Sequence, residues 1–516
     1  MRGFLSRIFD EQDGSLLATP DAECIWAVRQ FCYLTHKVER PCTPLRERQA
    51  FAQFVATDDS LYGLPGRIDP GRLETYKKIA YRLFGRVFQE CDRKIASWEL
   101  VPKHGPGAVA ERRSQKDRRS YSYWHDRIEP VFPFWRYTAN SVYQSSDMVV
   151  PISDEQPARV ESVPKTQSTP RIIAIEPSVM QYAQQGLKRE LYELIGRGPL
   201  RGVLGFQDQS RNRDMALHAS LTGELGTLDL SEASDRVHWF LVNALFDNFP
   251  HLREFVMATR SRSVDVPFHG VLPLQKFASM GSALTFPLEA IVFTILTVAG
   301  VEQAQSRRLQ VRDLPGLVSV YGDDIIAPVD SIDHVIDWLE HFGAKVNRGK
   351  SFWNGKFRES CGAEYYDGTD VSVVRVRSEL PSSRDDAAEI AALVDFRNRA
   401  YFAGLWSVVT EIDEELESLI RLPYSNANSE ERHAYLHRAT FLPVSRSGTR
   451  WDPKLQRDER RVPVLTPRPD TYRIDGEAGL LEWFHDVLRR DDLVDRFDSQ
   501  ERSTSFSIQR RCIRFV

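Results

Sequence analysis

"LVSVYGDDIIAPV", Leu317 to Val329, sets two carboxylates side by side between two apolar runs. The stretch reads as a β-hairpin with Asp323-Asp324 at its tip, and Gly322 fits, since a Gly at the first turn position suits a two-residue connection. Adjacent like charges repel, and an Asn-Gly turn would avoid that cost. Asp323 and Asp324 at a hairpin tip therefore predict a cation held there.

Upstream, "GELGTLDLSEASDRVHWFLVNALF" supplies a third carboxylate. Thr227 to Leu230 reads as a short strand, and Ser231 or Ser234 as the cap of a following helix. Val237, Phe240, Leu241, Ala244 and Leu245 recur at helical spacing. Asp229 then falls at the carboxyl end of a strand and Asp235 in the first helical turn. The helix dipole alone accounts for Asp235; nothing comparable accounts for Asp229. If the two strands are neighbours in one antiparallel sheet, Asp229, Asp323 and Asp324 converge. Clustered carboxylates call for a hard divalent cation with oxygen ligands. Such a set could hold two Mg²⁺ ions roughly 3.5–4 Å apart, with Mn²⁺ as a substitute, which is the arrangement for in-line phosphoryl displacement.

Bulk properties exclude several classes. With 516 residues, 42% hydrophobic and 27% charged, the chain is long enough for about two to four domains or one large multi-lobed enzyme, and lies outside the disordered regime. The formal net charge of −4 gives no global sign of a polyanionic partner, though the placement of Lys and Arg matters more than their sum. Six scattered cysteines without a C-x-x-C pair argue against a structural zinc site or disulfide scaffold. The start, "MRGFLSRIFDEQDG", lacks the apolar core of a signal peptide. The longest apolar stretch, Ala283 to Gly300, is broken by Pro287 and Glu289 and reads as a buried helix, so no stable membrane insertion is expected.

Three further segments carry chemistry. Val101 to Arg127 interleaves Arg112, Arg113, Lys116, Arg118 and Arg119 with Tyr121, Tyr123 and Trp124. Cations that track phosphates and rings that stack bases suit a single-stranded nucleic-acid path, and a solvated loop would read the same way. In "SVPKTQSTPRIIAIEP", Lys165 and Arg171 flank a Pro-bracketed turn before a strand at Ile172 to Ile175. Arg171 could equally be an edge-strand charge that discourages aggregation. In "KFASMGSALTFPLEAIVFTIL", Ser279, Gly281 and Ser282 form a small-residue loop through which a ligand could approach the backbone. A helix is expected from about Ser331 to Phe342, helical and charged sequence beyond about Leu380, and a polar tail from about Ser499.

Together these motifs resemble the palm-domain RNA-dependent RNA polymerases of leviviruses, the single-stranded RNA bacteriophages. "HGPGA", "PKTQSTPRIIAIEP", "DLSEASD", "SMGSALTFPLEA", "YGDD" and "GKFRESCGAEYYDGTDV" follow one another in the family's order. The resemblance spans roughly Gly105 to Arg377. It implies an α+β right hand with a small antiparallel palm sheet and largely helical fingers and thumb. The expected division is a helical region at 1–90, fingers at 91–224 with 250–278, a palm at 225–378, and a thumb and tail at 379–516. Asp229 and Asp323 would be the principal metal ligands, with Asp324 weaker or indirect. Lys165 and Arg171 would contact the incoming triphosphate. Lys350 would act as general acid to the leaving pyrophosphate, with Lys345 and Arg348 as competitors for that role.

Ser279-Met280-Gly281-Ser282 would hold the template and sense the ribose. Many leviviral relatives carry Asn-Gly where this chain has Ser282-Ala283, and animal plus-strand polymerases carry Asn where Glu289 stands. Ribose reading is thus expected from some mixture of Asp235, Ser279, Ser282 and Thr285. The implied partners are a single-stranded RNA template and product, NTPs, and host elongation factors Tu and Ts with a small-subunit ribosomal protein, in the cytoplasm of a bacterial host. Two rivals remain. A reverse transcriptase shares the strand-borne Asp and a YxDD hairpin but places a bulky aromatic near the first Asp, where this chain has "DLSEASD". A non-catalytic RNA-binding protein would have no need of carboxylates at strand ends.

Overall fold

The computed structural model describes residues 3–105, 107–111, 121, 123–138, 149–151, 154–166, 169–426, 435–444, 449–467 and 506–514. It is an α+β protein of two compact units. One comprises Thr43–Val163 with Arg171–Ser372, the other Met1–Cys42, Pro164–Pro170 and Val373–Val516.

The first unit is organised by a three-stranded antiparallel sheet. Leu225–Leu228 pairs with Asp324–Pro328, which in turn pairs with Ser319–Tyr321. The register sets Leu228 opposite Ile325 and Tyr321 opposite Asp324. Gly322 and Asp323 are thus the two turn residues. The positive dihedral falls on Gly322 (φ +62°) and not on Asp323, as a tight hairpin with Gly first requires.

Beside the sheet runs Thr285–Gln305, apolar on every side over most of its length and buried throughout from Pro287 to Val301. A helix without a polar face must be covered on all sides. It packs on Ile332–His341 and Pro70–Ala96. Although it is long and apolar enough to cross a membrane, it is enclosed by protein here. A second sheet orders Arg171–Ile175, Ala158–Val163, Ser263–Val266 and Gly270–Pro273, with the middle two strands parallel.

Three local expectations need correction. Asp235 lies in a single 3₁₀ turn, Ala233–Arg236, and not in the first turn of an α-helix. Glu232 adopts a left-handed conformation (φ +54°) and Val237 an extended one, so the α-helix starts only at Trp239. Its cap is therefore neither Ser231 nor Ser234 but His238, whose Nδ1 accepts the Phe240 N–H at 3.0 Å. The cations Arg112, Arg113, Lys116, Arg118 and Arg119 lie outside the described residues. The rings beside them belong to the core: Trp124 is fully buried against Phe132 and Phe134, and Tyr121 is buried against Trp124 and Tyr182. They are not base-stacking platforms.

In the other unit, helices Ala387–Phe402 and Trp406–Leu419 are joined by Arg397, which reaches Asp413 with two hydrogen bonds of 2.9 and 2.8 Å. Beyond Leu419 the described chain is β rather than helical. Arg457–Pro467 pairs with Thr449–Asp452 on one side and with Phe506–Arg514 on the other. The last strand occupies the stretch expected as a polar tail: "FSIQRRCIR" is charged but mixes in apolar residues, and its partner strand satisfies its backbone.

Candidate active site

The hairpin register and the strand Leu225–Leu228 carry Asp229 and Asp323 to the same end of the sheet. Asp229 follows its strand directly and is stitched to the segment after Phe342. Its N–H donates to Ser351 Oγ at 3.1 Å, and its carbonyl accepts the Asn347 N–H at 2.9 Å. Asn347 Nδ2 donates to the Asp229 carboxylate at 3.0 Å. Thr227 and Phe352 exchange two backbone bonds, so this segment serves as a short extra edge to the sheet.

Lys350 is exposed within that segment, and its N–H closes a turn onto the Asn347 carbonyl at 3.0 Å. Of its competitors, Arg348 is drawn to Glu340 at 3.6 Å. Lys345 is exposed, and its carbonyl accepts the Ser231 N–H at 2.8 Å.

Asp324 faces a different neighbour. Its Oδ1 accepts the Cys361 N–H at 3.0 Å and the Ser360 hydroxyl at 3.4 Å. Cys361 sits at the turn between Phe357–Ser360 and Ala363–Tyr366 with φ +51°, a conformation costly for a residue with a side chain. The "FRESCG" element thereby aims an amide at Asp324. Burial, and then the charges of Asp323 and Asp229, push the Asp324 carboxyl up to about 7 against the Cys361 hydrogen bond. Burial and the neighbouring Asp324 push the Cys361 thiol up to about 12.

A fourth carboxyl, unforeseen as a site residue, lies under the turn. A Cβ at Gly322 would meet the Phe286 ring at 2.7 Å and Glu289 Oε1 at 3.5 Å. Glu289 is buried and its Oε2 has no hydrogen-bond partner. Burial and the charges of Asp323 and Asp235 raise it well above the usual carboxylate range. The available signal was the one acid within the buried, largely apolar stretch 287–301.

The loop ahead of that helix lies against Arg171–Ile175. Met280 accepts the Ala174 N–H at 2.9 Å, and Gly281 (φ +129°) approaches so closely that a Cβ there would lie 2.1 Å from the Ala174 carbonyl oxygen. Only Gly tolerates both. Ser282 donates to Gln184 Oε1 at 3.1 Å, and Thr285 donates to the Ser279 carbonyl at 2.7 Å. The Ser279 hydroxyl is buried without a partner. Arg171 is exposed at the head of its strand, on the outer edge of its sheet, and Lys165 is exposed in Pro164–Pro170 of the other unit.

Among the described residues, no three His, Cys, Asp or Glu close a metal shell by themselves. Magnesium is usually held by one or two carboxylates plus substrate phosphates. Two strand-end carboxylates with a crowded third are a donor set of that kind.

A strand-end Asp opposite a hairpin Asp-Asp, braced by the "FRESCG" turn, defines a class that the sequence comparisons make specific. Residues 129–417 match the family described as RNA replicase, beta-chain, and the chain belongs to that family. It is 34% identical over 224 residues to the RNA-directed RNA polymerase subunit beta of Qbeta virus (strain MX1), covering 43% of this chain and 36% of that one. The corresponding subunit of Enterobacteria phage SP is 36% identical over 219 residues, covering 42% and 36%. The polymerase beta chain of Escherichia phage MS2 is 33% identical over 222 residues, covering 43% and 38%. The matched region thus spans well under half the length of these relatives. Among solved structures, the RNA-dependent RNA polymerase of a human picobirnavirus aligns with 47% of this chain and 52% of its own at 12% identity, with a TM-score of 0.37.

Proposed function

We propose that the chain is an RNA-directed RNA polymerase that copies a single-stranded viral RNA genome by nucleotidyl transfer from NTPs, releasing pyrophosphate. The observation that carries this reading is the register that brings Asp229 and Asp323 to one end of the sheet. The names of the family's members support it. Residues 225–378 act as palm, 91–224 with 250–278 as fingers, and 379–516 as thumb and tail.

Asp229 and Asp323 would hold two Mg²⁺ ions, or Mn²⁺, with Asp324 beside them as a weaker ligand already engaged by Cys361. Bound there, such ions would supply charge stabilisation to the attacking and leaving oxygens of an in-line displacement. The protein's own groups do the rest. Asn347 orients the Asp229 carboxylate. Lys165 and Arg171 grip the triphosphate. Lys350 hands a proton to the departing pyrophosphate. Asp235 and Ser279 face the ribose, and Ser282 and Thr285 hold the shape of the loop. By the same family relation, elongation factors Tu and Ts and a small-subunit ribosomal protein join the chain in the bacterial cytoplasm.

Magnesium-dependent incorporation of labelled NTPs on an RNA template tests this reading. Incorporation of dNTPs in preference to NTPs would turn it into a reverse transcriptase, and binding of RNA without incorporation into a non-catalytic protein.

Arg171→Lys separates a triphosphate contact from an edge-strand charge. A planar guanidinium making a bidentate contact is not replaced by an ammonium, whereas an edge charge is. The expected result is at least about a tenfold loss in kcat/KM, about 1.4 kcal/mol, with template affinity unchanged. Turnover at the parental rate would return Arg171 to the edge-strand role.

A further inference from the structure

We infer that Lys276, a residue with no role in the metal site, is the positioning residue that sets ribose selection, by holding the Asp235 carboxylate as an oriented acceptor for the 2′-hydroxyl of the incoming nucleotide. The inference rests on the polymerase reading above.

Lys276 is fully buried, although its segment is short and lies next to the loop. A buried ammonium persists only when paired, and an apolar residue of like volume would serve packing better. Its Nζ donates to Asp235 Oδ1 at 3.0 Å and stands 3.3 Å from the centre of the Phe54 ring. The backbone around it is fixed from two directions. Asp58 accepts the N–H groups of Gln275 and Lys276, both at 2.9 Å. The Phe277 N–H donates to the Val237 carbonyl at 2.7 Å, and the Trp239 N–H to the Gln275 carbonyl at 3.1 Å. The lysine is thus tied to the segment that follows the Asp235 turn.

Asp235 keeps 20% of its side chain exposed while Oδ1 is taken by the lysine. The other charged groups around the turn are already engaged or suppressed. Glu232 pairs with Arg236 at 3.1 Å, and burial keeps Glu289 well above the usual carboxylate range. The Ser282 and Thr285 hydroxyls donate within the protein. With Oδ1 held by the Lys276 ammonium, the second Asp235 oxygen is an acceptor that a hydroxyl satisfies and a hydrogen atom does not. A site built to bond a hydroxyl discriminates against the analogue lacking it far better than a pocket that merely fits.

The test is single-nucleotide addition by the full chain on an RNA template, with kcat and KM measured for an NTP and the matching dNTP. Lys276→Met is expected to lower the NTP/dNTP ratio of kcat/KM by about tenfold or more, through a higher KM for the NTP with the dNTP nearly unaffected. Asp235→Asn should lower the ratio at least as far, and the double variant no further than Asp235→Asn alone. A role confined to folding would depress both substrates together and leave the ratio intact. Should Lys276→Met fail to fold, Lys276→Gln and Asp235→Asn are read in the same assay. A parent that adds no nucleotide would overturn the polymerase reading and this inference with it. An active, discriminating parent whose variants keep its ratio would overturn this inference alone.

Discussion

Asp323→Asn folds as the parent does and adds nucleotides at least about a thousandfold more slowly, roughly 4 kcal/mol of lost transition-state stabilisation. The change preserves volume and removes the charge at the hairpin tip on which the proposed cation binding depends. Single-turnover incorporation at saturating Mg²⁺ measures it, and parental rates there would remove Asp323 from the site. Stability should move the other way. Asp324 has a folded-state value of about 7, raised by burial and by Asp323 and Asp229, against about 3.9 in an unfolded chain. The native state therefore binds the extra proton between those values. The contribution favouring the fold is complete below about pH 4 and is lost as the pH rises to about 7. Removing the Asp323 charge relieves part of that loss, so without metal at pH 7 the variant's Tm should equal or exceed the parent's.

Gly281→Ala should be the most damaging small substitution near the site. The added methyl would lie 2.1 Å from the Ala174 carbonyl oxygen, at a φ of +129° that side-chain-bearing residues rarely adopt. Backbone cannot swing aside as a flexible side chain can. Overpacking and backbone strain each cost about 1–3 kcal/mol, so a loss of roughly 3–5 kcal/mol is expected in denaturant unfolding. If the variant unfolds at the parent's midpoint, the loop does not rest on Arg171–Ile175 as described.

What could be read from sequence was local. The apolar runs on either side of Gly322-Asp323 announced a hairpin. The apolar run before Asp229 announced a strand, and the long, mostly apolar stretch after the serine loop a buried helix. What escaped was made by contacts distant along the chain. Asn347 meets Asp229 across 118 positions, and Lys276 meets Asp235 across 41. No periodicity links such pairs, and each residue alone resembles an ordinary surface polar group. Trp124 and Tyr121 failed for the opposite reason, since a ring suits a base stack and a core equally and only burial decides. The late start of the helix at Trp239 turned on the backbone of Glu232, a non-Gly residue in a left-handed conformation, which composition does not announce.

The turn at Cys361 also bears on covalent chemistry. Sulfur nucleophilicity belongs to the thiolate, and this thiol is buried and pushed up to about 12 beside the Asp324 carboxyl. Near neutral pH it is inert to alkylation and slow to oxidise, while Cys32 and Cys512 are exposed. A maleimide dye would therefore react first at those two positions and more slowly at the half-buried Cys42, all three in the other compact unit. The unmodified sequence thus offers optical handles that leave the carboxylates and their bracing turn untouched.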